Sequence, residues 1–245
     1  MKDSEGEEDK MERKKKMPNK RNGKQNQFDF SEVYRQLRTN IEYSQFEGDI
    51  QVVNLTSTNP AEGKSSVASN LATVSIAKYH NVLLMDCDLR KPVQHKIFNV
   101  SNKIGLSNLM KNYDTFDVND DTYFQKFKEN NSDGKLYLLT SGMKVPNPLE
   151  LLSSEKFKHL IEKLRTRFDF IVIDCPPVDA VADAVPVSIA SDGTIYVISA
   201  RETNKNDAKA GLTQLQRNGA NIIGTVLTKV EAEAKHYYGY YYNES

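Results

Sequence analysis

An α/β fold, with a parallel sheet covered by helices on both faces, is what this sequence predicts, and three observations predict it. Apolar runs of strand length recur along the chain, segments of helical periodicity lie between them, and the runs lack the alternation that would leave one face in water. Strands buried on both faces and separated by helices belong to sheets whose parallel neighbours are joined by crossover connections.

The 245 residues suffice for one sizeable core with poorly ordered ends. Hydrophobic residues at 38% and charged residues at 27% exclude a fibrous or wholly disordered chain. No apolar stretch approaches the roughly 18 residues of a membrane-spanning helix. The polar N-terminus has no apolar core of a secretory signal, so a cytosolic location is expected. Cys87 and Cys175 are too few for a disulfide framework or a zinc cage, and read as small buried residues near strand ends. A formal net charge of zero leaves only local patches to attract polyanions, and no nucleic-acid partner is expected.

Taken in order, residues 1–27 join an acidic cluster to a run of lysines and arginines without an aromatic or β-branched residue, and are expected to be disordered. From Phe28 the chain turns globular. Ser31 is a candidate N-cap for a helix with Val33, Leu37 and Ile41 on its apolar side. A strand is expected over Gln51–Thr56, a helix over Ser65–Tyr79, and a strand over Val82–Met85 that ends at Asp86. Further strands fall at Leu136–Thr140, Phe170–Ile173, Thr194–Ser199 and Asn221–Leu227. Helices fall at Leu149–Arg167, about Ala180–Ala190, and Asn206–Arg217. Asn99–Lys135 has no clear period and should hold short helices and loops. The end of the chain carries five tyrosines in six positions without a core pattern, and is expected to be a mobile tail. The organisation is thus a charged tail over 1–27, one globular domain over 28–230 and a tyrosine-rich tail over 231–245.

Thr58-Asn59-Pro60-Ala61-Glu62-Gly63-Lys64-Ser65 follows a buried strand and opens a helix, which is where a phosphate-binding loop must sit. Residues Asn59 through Ser66 would line the anion, with backbone N–H groups from all but Pro60. Lys64 would reach the β- and γ-phosphates, and the Ser65 hydroxyl would ligate Mg²⁺. ATP and Mg²⁺ are therefore the expected cofactors, on a P-loop NTPase fold. Thr58 replaces the usual first glycine, so the loop is a variant. Asp174 closes the apolar run Phe170-Ile171-Val172-Ile173, and Asp86 and Asp88 stand at the end of another. Carboxylates crowded at strand ends need a cation, and with one they can position an attacking hydroxyl. Lys64, Asp86, Asp88 and Asp174 form the candidate catalytic set, and Ser65, Asp88 and Asp174 the candidate metal ligands. Which aspartate is the base is left open.

The loop with its flanks, Asp86-Cys87-Asp88-Leu89-Arg90-Lys91-Pro92 and Ile173-Asp174-Cys175-Pro176-Pro177 together resemble the bacterial tyrosine kinases of capsule and exopolysaccharide synthesis, of the CapB/CpsD type. Pro146-Asn147-Pro148-Leu149-Glu150-Leu151-Leu152 is similar to the family's PNPxELL segment, and Glu32, Arg35 and Arg38 to its ExxRxxR oligomerisation motif. The resemblance implies a protein-tyrosine kinase acting as a homo-oligomeric ring. Tyr237, Tyr238, Tyr240, Tyr241 and Tyr242 become the acceptors, phosphorylated in trans. It further implies a transmembrane adaptor of the CapA/CpsC type, a cognate tyrosine phosphatase, and a peripheral place at the inner face of the membrane. Thr228-Lys229 stands where the family places an Asn-Lys pair beside adenine. A ParA/MinD-like partition or positioning ATPase shares the loop and strand motifs and is the alternative. Asn59 stands where partition ATPases carry a signature lysine. A nucleotide-binding regulator without transfer activity is a second alternative.

Overall fold

Buried β-branched runs form the sheet, and glycine, asparagine and serine punctuate it. The computed structural model describes residues 30–44, 49–128 and 132–231. The charged tail over 1–27 and the tyrosine cluster at 237–242 lie outside the described residues.

The chain runs α1 (Phe30–Tyr43), β1 (Val52–Ser57), α2 (Lys64–Ser75), β2 (Asn81–Asp86), α3 (Gln94–Ile97), α4 (Leu106–Lys111), two single 3₁₀ turns, β3 (Gln125–Lys128), β4 (Lys135–Leu139), α5 (Pro148–Leu152), α6 (Glu155–Arg165), β5 (Phe170–Asp174), α7 (Ala184–Ala190), β6 (Gly193–Ser199), α8 (Lys205–Arg217) and β7 (Ile222–Thr228). The seven strands make one sheet in the order β3-β4-β2-β5-β1-β6-β7. All pairs are parallel except β3 with β4. From β1 the chain crosses past β5 to β2, and β6 later lies on the other side of β1. That reversal falls at β1, and sheets of this kind bind ligands outside the C-terminal strand ends at such a point, here those of β1, β2 and β5.

Two apolar clusters sandwich the sheet. One holds Ile41 of α1 and Val67, Leu71 and Ala72 of α2 against Val53, Leu55, Leu84 and Val172. The other holds Phe157, Leu160, Ile161 and Leu164 of α6 and Leu215 of α8 against Leu83, Met85, Ile171 and Ile173. Alternate residues of one strand thus enter opposite clusters, as a two-fold side-chain period requires.

Three differences from the sequence reading have physical causes. First, β3 runs antiparallel at the sheet edge, and its Gln-Lys-Phe-Lys pattern buries Phe127 alone, too little apolar signal to mark a strand. Second, the expected single helix over Leu149–Arg167 is two, because the Ser154 side chain accepts from the Phe157 N–H and caps a fresh start at Glu155. Third, α1 begins at Phe30, which puts Ser31 inside its first turn, and Val33 is 44% exposed while Ile41 is buried. No helix among the described residues is long and apolar enough to cross a membrane.

The cap at Ser154 yields a stability prediction. Ser154→Ala should cost about 1 kcal/mol, read as a lower urea midpoint with an unchanged slope. A midpoint equal to wild type would show that the break between α5 and α6 is set by packing alone.

Candidate active site

The phosphate loop turns at Gly63, whose φ of 95° is open to glycine and costly for other residues. A Cβ there would lie 3.3 Å from Thr228 Cγ2, so the end of β7 backs the loop directly. Glu62 fixes the loop from within. Its carboxylate accepts from the Thr58 N–H at 2.9 Å and from the Thr203 hydroxyl at 2.5 Å, and its carbonyl accepts from the Thr228 hydroxyl at 2.5 Å. Asn59 is half-buried, Pro60, Ala61 and Ser66 are exposed, and Ser65 stands half-exposed in the first turn of α2. The loop is therefore braced on its buried side and open on the other.

Strand register brings the carboxylates together. Asp86 pairs with Asp174 across β2 and β5, and Asp88 follows two residues on. All three are buried. The Lys64 ammonium lies among them, 3.3 Å from Asp88 Oδ2, 3.5 Å from Asp174 Oδ1 and 3.2 Å from the Ser65 hydroxyl. Burial alone would lower the Lys64 pKa, but the charges of Asp174 and Asp88 outweigh it and hold it above the usual lysine value. Burial raises Asp174, against the pull of Lys64, Ser65 and Gln94.

The aspartates have separate tasks. Asp86 Oδ1 accepts from the Asp88 N–H at 3.1 Å, and Oδ2 from the N–H groups of Val93 and Gln94 at 3.1 and 3.0 Å. Both its oxygens are thus committed to the loop that joins β2 to α3. Asp88 gives one oxygen to the Lys91 N–H at 2.9 Å and the other to Lys64. Asp174 gives Oδ1 to Lys64 and Oδ2 to the Gln94 side chain at 2.8 Å. Asp88 and Asp174 face the Lys64 ammonium, while Asp86 shapes the backbone around them.

Among the described residues no three or more His, Cys, Asp or Glu side chains are grouped as a metal-binding cluster. The donor set still fits a hard divalent cation, because Ser65, Asp88 and Asp174 offer oxygens, and the Gln94 amide that bonds Asp174 keeps a buried Oε1 without a partner among the described residues.

Comparison with known proteins decides the family. A family model described as an AAA domain matches residues 51–232. CapB of Staphylococcus aureus is 37% identical over 214 residues, 87% of this chain and 90% of that one. The tyrosine-protein kinase YwqD of Bacillus subtilis is 36% identical over 211 residues, 86% of each chain. Among solved structures, the chimerical protein CapA2B2 superposes with a TM-score of 0.73 at 36% identity, over 83% of this chain and 86% of that one. This chain belongs to the bacterial tyrosine-protein kinases of the CapB/CpsD type. A ParA family ATPase from Chlorobium tepidum shares only the fold with this kinase, at 18% identity and a TM-score of 0.61 over 76% of this chain and 77% of that one.

Other site residues singled out from the sequence fall in several places. The Thr228 hydroxyl is engaged by the phosphate loop, and Lys229, at a φ of 54°, pairs with Glu202. On α1 of the kinase, Glu32 and Arg35 pair at 3.0 Å on the surface. Arg38 instead turns inward, donating to the Val74 carbonyl at 3.0 Å and pairing with Glu42 at 3.4 Å, so it ties α1 to α2. Two contributors were missed by sequence reasoning. Gln94 reaches both Asp174 and the Ser65 carbonyl. Arg90 grips both oxygens of buried Asp183 at 2.7 and 3.0 Å and ties the loop after β2 to the start of α7. Only the family-like Asp-Leu-Arg run hinted at Arg90.

Burial, and then the charge of Asp174, push Asp86 up to about 8. A carboxyl raised on folding contributes stability that is whole below its unfolded pKa and is lost as pH rises through the folded value. The kinase should therefore lose stability at this site as pH rises from about 4 to about 8, the interval between the ordinary carboxyl pKa and the shifted one. Asp86→Asn should flatten the slope while lowering stability at every pH. Urea melts across that range test it, and parallel pH profiles for the two proteins would refute it.

Proposed function

We propose that this kinase transfers the γ-phosphoryl group of ATP to the tyrosine cluster Tyr237, Tyr238, Tyr240, Tyr241 and Tyr242 of a neighbouring copy, and that capsule or exopolysaccharide synthesis is what the transfer regulates. One observation carries the reading: the Lys64 ammonium rests between Asp88, Asp174 and the Ser65 hydroxyl at the mouth of a braced phosphate loop.

Each residue has a task in the transfer. N–H groups of the loop and of the first turn of α2 bind the phosphates of ATP. Lys64 moves from the carboxylates to the β- and γ-phosphate oxygens, where its charge offsets that of the departing ADP. Asp88, freed by that move, accepts the tyrosine hydroxyl proton as the phenolic oxygen bonds to the γ-phosphorus and the bond to the β-phosphate oxygen breaks. Asp86 keeps Asp88 in place through the backbone. Ser65 and Asp174 would hold a divalent cation through oxygen, leaving Asp88 as the base, and the ion would offset the phosphate charge.

Partners follow from the same reading. Glu32 and Arg35, on the outer face of α1, support a subunit contact in a homo-oligomeric ring, and Arg38 secures that helix to its own domain. A transmembrane adaptor of the CapA/CpsC type would hold the kinase at the inner face of the membrane and activate it. A tyrosine phosphatase would reset the tail.

Purified kinase mixed with Mg·ATP and the adaptor's cytoplasmic tail should acquire phosphate confined to Tyr237–Tyr242, mapped by mass spectrometry. Lys64→Met should reduce it by about 100-fold or more. Unmodified tyrosines with ATP turnover intact would sink the transfer reading. Without the adaptor tail, incorporation should be slight, and strong unaided activity would remove the adaptor from the account.

A further inference from the structure

Gln94 is the first residue of α3, and it is fully buried. Its side-chain Nε2 donates to Asp174 Oδ2 at 2.8 Å and to the Ser65 carbonyl at 3.0 Å. Its backbone N–H donates to Asp86 Oδ2 at 3.0 Å. One residue therefore joins the phosphate-loop helix, the end of β5 and the loop after β2, which are the three segments that build the site.

The orientation of the amide is set by its partners. A carboxylate oxygen and a carbonyl can only accept, so the atom facing them must be the nitrogen, and Oε1 is the acceptor on the other side. Oε1 is buried and has no partner among the described residues. Buried acceptors are almost always satisfied, so Oε1 is available to a donor that arrives with the ligand. The phosphates of ATP only accept. Water bound to a divalent cation donates strongly.

Nε2 also decides how Asp174 is used. By occupying Oδ2 it leaves Oδ1 as the oxygen turned toward Lys64 at 3.5 Å, the position from which Lys64 must withdraw.

We propose that Gln94 is a positioning residue for the divalent cation: Nε2 fixes Asp174 with Oδ1 toward the cation, and Oε1 accepts a hydrogen bond from a water in the cation's shell. This inference rests on the kinase reading of the site and deepens it. Outer-shell partners of this kind hold ligand orientation, and losing one costs roughly 10- to 100-fold in metal affinity. The phosphates gain nothing directly from Gln94, so the effect should be confined to the cation.

The test is ADP binding by titration calorimetry on the full chain, at fixed free Mg²⁺ and again in excess EDTA. In Gln94→Ala, the gain in ADP affinity that Mg²⁺ confers should shrink about 10-fold, with EDTA affinity within about two-fold of wild type. Gln94→Met fills the same space without polar atoms and should behave like the alanine variant. Gln94→Glu adds an acceptor beside Asp174 but loses the donor, and should not restore the wild-type gain. Thermal melts would show whether each variant folds. If Gln94→Ala and Gln94→Met keep the full Mg²⁺ gain, or lose affinity equally with and without Mg²⁺, Gln94 is a packing residue and the proposal is overturned. The kinase reading fails in a different way, if wild type gains no ADP affinity from Mg²⁺.

Discussion

Three carboxylates emerging side by side from two adjacent strands cannot all be ionised in a dry crevice without a cation between them. The register that pairs Asp86 with Asp174 creates the problem, and the reach of Lys64 from the first position of α2 answers it. Removing charges from water is costly, and close opposite charges recover that cost only when the remaining hydrogen-bonding positions are filled. The surrounding loops do that filling. N–H groups of Asp88, Val93 and Gln94 converge on Asp86, that of Lys91 on Asp88, and the Gln94 amide on Asp174. The loop after β2 is folded around its own acids, and Lys64 at the end of the phosphate loop completes the charge balance.

The fold supplies the rest by placement. Because β5 lies between β1 and β2, the phosphate loop, Asp174 and the Asp86–Asp88 pair end at one edge of the sheet. Tertiary ties then set the distances. Glu62 is bonded to Thr203 after β6 and to Thr228 at the end of β7, while Arg90 anchors the loop after β2 to Asp183 ahead of α7. A shift of β7 is thereby felt at Gly63, where Thr228 lies within contact distance of the missing side chain. The segment with the tyrosine cluster follows β7 in sequence, so the element that braces the phosphate loop is also the one that leads to those tyrosines.

What was legible in the sequence was what depends on near neighbours. The buried strands showed themselves as β-branched runs, and Gly63-Lys64-Ser65, Asp86, Asp88 and Asp174 showed themselves by their place at strand ends. What stayed hidden depends on partners far along the chain. Gln94 meets Asp174 across 80 positions, Arg90 meets Asp183 across 93, and Thr203 meets Glu62 across 141. No local pattern marks a glutamine that will be buried between two motifs. The edge strand β3 was hidden for another reason, since with one face in solvent and two lysines in four residues it resembles a loop. Arg38 shows the limit of spacing: three positions after Arg35 on one helix, it is turned by its tie to Val74 and Glu42 from surface to interior.

The same charge balance explains why nucleotide and acceptor chemistry belong together in one site. While Lys64 rests on Asp88, that carboxylate cannot take a proton from an incoming phenol without leaving the ammonium with one partner fewer. Phosphate oxygens offer Lys64 another set of negative charges, and in the proposed transfer its departure frees Asp88 Oδ2 for the phenol proton. In that proposal ATP binding frees the base. A tyrosine arriving before the nucleotide would meet Asp88 still paired with Lys64, whereas one arriving after it would meet Asp88 Oδ2 beside a held γ-phosphate. Order of arrival would then be set by one lysine moving between carboxylates and phosphates.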